Sequence, residues 1–126
     1  MRGPVPIRPA APDEVPALAA VLARAFAADP MVTSPFGAVA DLEERIRANF
    51  EIVDRAFAAE GWIHAAAGGL GVMSLLPPGS TGREHEIGEA IAPALAELTP
   101  DHGARYERMW GWIDDVMGRQ PPHWLL

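Results

Sequence analysis

Trp62-Ile63-His64-Ala65-Ala66-Ala67-Gly68-Gly69-Leu70-Gly71-Val72-Met73-Ser74-Leu75-Leu76 separates two helical regions and follows a different period from both. Its two apolar runs, Trp62–Ala65 and Leu70–Leu76, are too short for helices and flank a Gly-Gly pair. Glycine reaches the positive-φ conformations that a tight reversal needs, so the stretch reads as an antiparallel hairpin. Pro77-Pro78-Gly79 closes its second strand.

The flanking regions are helical. Upstream, Leu42, Ile46, Phe50, Val53 and Phe57 recur every three to four residues and predict one apolar helix face. Glu43/Arg47 and Glu51/Arg55 stand at i,i+4 in the favourable order, and Glu60-Gly61 marks the stop. Farther upstream, Val15, Leu18, Leu22 and Phe26 predict a helix that Pro12-Asp13-Glu14 opens, with Asp13 as its cap and Pro16 in its first turn. Asp29-Pro30 ends that run, because the residue before proline avoids the helical region. A loop with Pro35 and Gly37 follows, and Val5-Pro6-Ile7-Arg8 reads as an edge strand. Downstream, Ile87, Ile91, Leu95 and Leu98 predict a helix that Pro93 must kink or re-start. Thr99-Pro100-Asp101 then opens another, with the stripe Tyr106, Met109, Ile113, Val116/Met117, and Gly118 ends it. Pro121-Pro122 leads into a strand beginning at His123-Trp124-Leu125-Leu126, where the sequence stops. The whole reads as one mixed α+β domain over residues 1–126, with three to four strands in a mixed sheet and about four helices.

Composition narrows the function. Apolar residues make up 49% and charged residues 21%, enough to bury a core and too apolar for a disordered chain. The net charge of −7 comes without any Lys/Arg cluster, which argues against nucleic acid or an anionic membrane as partner. There is no cysteine, so neither disulfides nor thiolate chemistry enter. The N-terminus lacks a signal-peptide core and no apolar run is long enough to span a bilayer, which points to the cytoplasm.

The local constellations read first as structure. Gly68-Gly69-Leu70-Gly71 has glycines spaced like a phosphate loop, but a strand follows it where such a loop needs a helix. Gly79-Ser80-Thr81-Gly82-Arg83 does stand between a strand and a helix, yet it lacks the lysine and spacing of a phosphate loop and reads as a surface loop. His64, His85, His102 and His123 form no paired-ligand spacing, and Glu84-His85-Glu86 reads as a solvated charge cluster. Asp114 and Asp115 are helix neighbours pointing about 100° apart, unsuited to a shared carboxylate site. Phe26, Trp110, Trp112 and Trp124 read chiefly as core.

Four short signatures in order carry a family resemblance. They are Ile7-Arg8-Pro9-Ala10 before a proline/acid-started helix, Ala25-Phe26-Ala27-Ala28-Asp29-Pro30 at its end, Leu75-Leu76-Pro77-Pro78-Gly79 after a strand, and Pro122-His123-Trp124-Leu125-Leu126. Together they resemble the N-terminal half of the GNAT family of N-acetyltransferases, with Leu125 where that family usually has tyrosine. The resemblance implies acetyl transfer from acetyl-CoA to a primary amine of a small molecule or peptide. It also implies an acceptor side built from the first two helices and their loop, which maps to Phe26, Asp29, Met31 and Phe36. The family's Gln/Arg-x-x-Gly-x-Gly/Ala loop, whose backbone N–H groups hold the cofactor pyrophosphate at a helix N-terminus, does not occur in these residues. Tight acetyl-CoA binding by this chain is therefore not expected. The alternative is a non-catalytic GNAT-like remnant or interaction module that self-associates through an open sheet edge.

Overall fold

Two long helices packed along each other, on one face of a small sheet, form the centre of the computed structural model, which describes residues 3–69 and 71–121. In chain order the elements are β1 (Ile7–Pro9), α1 (Val15–Ala25), α2 (Pro30–Thr33), α3 (Leu42–Ala59), β2 (Ile63–Ala66), β3 (Val72–Ser74), α4 (Thr81–Ala96) and α5 (Ala104–Met117). The mixed α+β class is therefore as the sequence predicts.

Among the described residues the sheet has three strands in the order β1-β2-β3 and is wholly antiparallel, where a mixed sheet was expected. Arg8 stands opposite Ala65 and Ala65 opposite Val72; Pro9 pairs with His64 and His64 with Met73. The hairpin closes through a Gly68-Gly69 turn with φ of 72° and 69°, and the Ala66 N–H donates to Gly71 O at 2.9 Å. The fourth strand expected at His123–Leu126 lies outside the described residues.

Alternation sets which sheet face is covered. Ile63 and Ala65 are buried with Ala10, Val15, Leu18 and Ala58, and Val72 packs on them, so this face meets α1 and α3. A second cluster, Ala23, Phe36 and Ile46, lies at the other end of the helix pair; a third, Trp62, Leu76 and Ile87, attaches α4 to the hairpin. The opposite sheet face carries Ile7 and Met73, which are 64% and 37% exposed.

Helix ends depart from the sequence reading where side chains had more than one use. Asp13 does not cap α1: a 3-10 turn over Pro12–Glu14 precedes the helix, and Glu14 accepts from the Ala11 N–H while holding Arg8 at 2.6 Å. Arg47 pairs forward with Glu51 at 3.7 Å instead of back with Glu43. Pro93 neither ends nor re-starts α4, which runs through it to Ala96. Thr99 does not open α5. Its buried hydroxyl donates to Ala96 O and accepts from the Gly103 N–H at 2.6 Å, so the chain reverses here and α5 begins at Ala104, after Gly103 at φ 86°. The stripe of α5, Tyr106, Met109, Ile113 and Met117, faces inward but is only half-buried. Trp112 stands off that stripe and is 67% exposed, so it is not the core residue expected; Trp110 is also exposed.

Candidate functional site

The segment joining α1 to α3 holds all the acceptor-side residues inferred from the sequence. α1 ends at Ala25, and a turn carries the chain to Asp29, whose peptide is extended as the residue before proline requires. Asp29 then caps α2: its Oδ1 accepts from the Met31 N–H at 2.8 Å. Among the described residues, the other carboxylate oxygen has no hydrogen bond. Phe26 is exposed at the rim, its ring 5.8 Å from that of Phe50 on α3. Met31 is 55% exposed. These three side chains line one solvent-facing segment with an acid among apolar groups.

Phe36 does not join them. It is 1% exposed, within the cluster of Ala23 and Ile46, and is reached from a 3-10 turn over Ser34–Phe36. Its place is in packing, because a large apolar ring in a loop finds more contact under the helices than over them. The turn ends at Gly37, with φ 65°; a Cβ there would stand 2.7 Å from the Arg105 guanidinium of α5. Glycine is thus required by the backbone, while the Arg105 guanidinium, at the end of a flexible side chain, is free to shift.

A concavity of about 400 Å³ lies between the N-terminus of α4 and the C-terminal half of α5. Glu84, His85, Trp110 and Asp114 line it. Partial burial, then the nearby Asp114 charge, raises the Glu84 carboxyl above its usual range. Arg83, at the end of the Gly79–Arg83 stretch, is committed to Glu60 at 2.6 Å and Glu86 at 3.0 Å. Among the described residues no group of three or more His, Asp or Glu side chains could hold a metal ion, and Glu84-His85-Glu86 does not form one. No single helix there is long and apolar enough to cross a membrane.

One residue was missed by sequence reasoning. Asp54, on α3, is 4% exposed, and its Oδ2 has no hydrogen-bond partner. Burial alone pushes its pKa up to about 7. The signal was present: Ile46, Phe50, Asp54 and Ala58 form an unbroken i,i+4 ladder, which puts an acid on an apolar seam.

No family model, curated protein or solved structure matches this chain.

Proposed function

We propose that residues 1–126 are the acceptor-side half of a cytoplasmic GNAT-type N-acetyltransferase, binding a primary amine that receives an acetyl group from acetyl-CoA. The observation that carries this reading is the α1–α3 segment, where Asp29 lies between exposed Phe26 and Met31. A carboxylate with one oxygen unengaged attracts an ammonium group, and the flanking apolar side chains suit an amine with an apolar body. Transfer itself needs a neutral amine, hence a base, and donors for the developing oxyanion. This reading assigns Phe26, Asp29 and Met31 to amine binding and assigns no residue to those other two roles. The order of strands and helices, antiparallel through β1-β2-β3, supports the same reading.

Asp29→Asn is the informative variant, because asparagine caps a helix as well as aspartate does but carries no charge. With phenethylamine at millimolar concentration, amide shifts are expected at Phe26, Asp29 and Met31 in the parent chain. They should be strongly reduced in Asp29→Asn, with α2 intact. Shifts at α4 and α5 instead would overturn the assignment. Isothermal titration with acetyl-CoA should show no micromolar site, since a pyrophosphate without preorganised N–H donors gains little over water; tight binding would end the half-domain reading.

A second reading, an interaction module, is favoured by the outer sheet face, where Ile7 and Met73 are exposed, and by the unpaired outer edges of β1 and β3 among the described residues. It predicts self-association at tens of micromolar that strengthens as salt screens the net charge of −7. A monomer in sedimentation at both low and physiological salt would exclude it.

A further inference from the structure

Asp54 lies where an acid is least expected. Ile46, eight residues before it, belongs to the cluster with Ala23 and Phe36; Ala58, four residues after it, belongs to the cluster with Val15, Leu18 and Ile63. Residues four apart stack on one helix face, so Asp54 sits on the seam that joins these two clusters. α1 runs along the same seam with Ala19 and Ala23 buried. The residue is 4% exposed, and its Oδ2 finds no donor.

The other titratable groups do not rescue it. The elements packed on α3 contribute Arg24 from α1, Asp13 and Glu14 from the Pro12–Glu14 turn, His64 from β2, and Arg83, Glu84, His85, Glu86 and Glu89 from α4; α2 contributes none. Arg24 is exposed, Glu14 is bound to Arg8, and Arg83 is bound to Glu60 and Glu86. Glu51 and Arg55, on its own helix, pair with each other at 3.1 Å. Among the described residues none of these groups is hydrogen-bonded or ion-paired to Asp54. The charged form therefore has no counter-charge, and a buried ion without one drives its surroundings open or binds a proton.

We propose that Asp54 makes the α1–α3 pairing pH-sensitive: the helices close over its neutral carboxyl and loosen when it ionises. The segment between the two helices, including Phe26, Asp29 and Met31, is framed by that pairing, and Phe26 rests on Phe50, one turn before Asp54. Loosening the seam thus changes the support of this segment, whatever it binds.

The sign follows from linkage. An acid whose folded pKa lies above its unfolded value favours folding while both states are neutral. That advantage is lost as pH rises from about 4, where the unfolded carboxyl ionises, to about 7, and changes little beyond. Between pH 5 and pH 8 the unfolding equilibrium constant of the full chain should rise by about two orders of magnitude on this account. The experiment is urea unfolding at pH 5, 6.5 and 8 for the parent chain and Asp54→Asn, with the Asp54 carboxyl carbon followed by NMR in the parent. Every titratable group other than Asp54 is present in both proteins, so its contribution cancels in the difference. Expected are a carboxyl midpoint near neutrality and a rise in the unfolding constant that Asp54→Asn largely removes. A carboxyl midpoint below pH 5, or an equal rise in both proteins, overturns the proposal. Should Asp54→Asn fail to fold, the parent's carboxyl titration decides alone.

Discussion

Phe36→Ala is expected to destabilise the chain by about 3–5 kcal/mol, the usual cost of removing a fully buried phenylalanine ring. Phe36 is 1% exposed and packs with Ala23 of α1 and Ile46 of α3, with Val32, Val39, Leu42, Phe50 and Leu98 around them. Two of these neighbours inside the cluster are small or stiff, so they cannot collapse into the space that the ring leaves. Marginal domains hold only about 5–15 kcal/mol in total, so this one ring is a large share. Met31→Ala, five residues earlier but 55% exposed, should move stability by no more than about 0.5 kcal/mol. Denaturant unfolding of both variants checks the contrast. Equal small effects would show that Phe36 points outward with Asp29 and Met31, as the sequence resemblance implied. A large loss for Phe36 alone would confine the acceptor-side group to Phe26, Asp29 and Met31.

The elements that the sequence made legible are those whose stabilising contacts repeat at the element's own period. α3 was readable from Leu42 to Phe57 because one face of it meets α1 and the sheet at every turn. The hairpin was readable because alternation and a Gly-Gly pair mark it independently. α2 was not, since four residues hold no period and its start depends on a single Asp29 cap. The start of α5 was misplaced for a similar reason: Thr99, Pro100 and Asp101 form a good opening locally, but the Thr99 hydroxyl serves the turn to Gly103 instead. Pro93 was read as a kink or a re-start; it is no re-start, because α4 continues through it near its C-terminus, where little helix remains to be lost.

The candidate site was legible in part, and the division has a physical basis. Asp29 was identified by its position before a proline at a helix end, and both features are local. Phe36 was misassigned because a loop residue's orientation comes from distant partners, here Ala23 and Ile46, that no local pattern reveals. Asp54 went unnoticed because the stripe was followed through Val53, its neighbour, although the i,i+4 ladder passes through Asp54 itself. A polar residue on such a ladder conflicts with the helix's own burial, and conflicts of that kind mark strained or functional positions.

Trp62→Ala should cost as much as Phe36→Ala, about 3–5 kcal/mol, but through a different part of the molecule. Trp62 is 8% exposed and begins the chain's passage from α3 into β2. Its ring meets Phe57 edge-on at 5.4 Å between centroids and packs with Leu76 and Ile87. Ile87 is one of two fully buried positions on α4, so this cluster is the main apolar attachment of that helix to the hairpin. A polar tie of α4 is the Arg83–Glu60 ion pair at 2.6 Å, and a solvent-exposed arginine pair of that kind contributes little to stability. Arg83→Ala should therefore leave α4 docked and stability nearly unchanged, while Trp62→Ala should release α4 before α1 and α3 separate. Hydrogen exchange distinguishes the two outcomes: α4 amides should lose protection selectively in Trp62→Ala, because local openings draw on the least apolar contact. Uniform loss across all helices would mean that the three clusters melt as one unit. In that case α4 is held by contacts along its length, and the aromatic cluster at its start is only one of them.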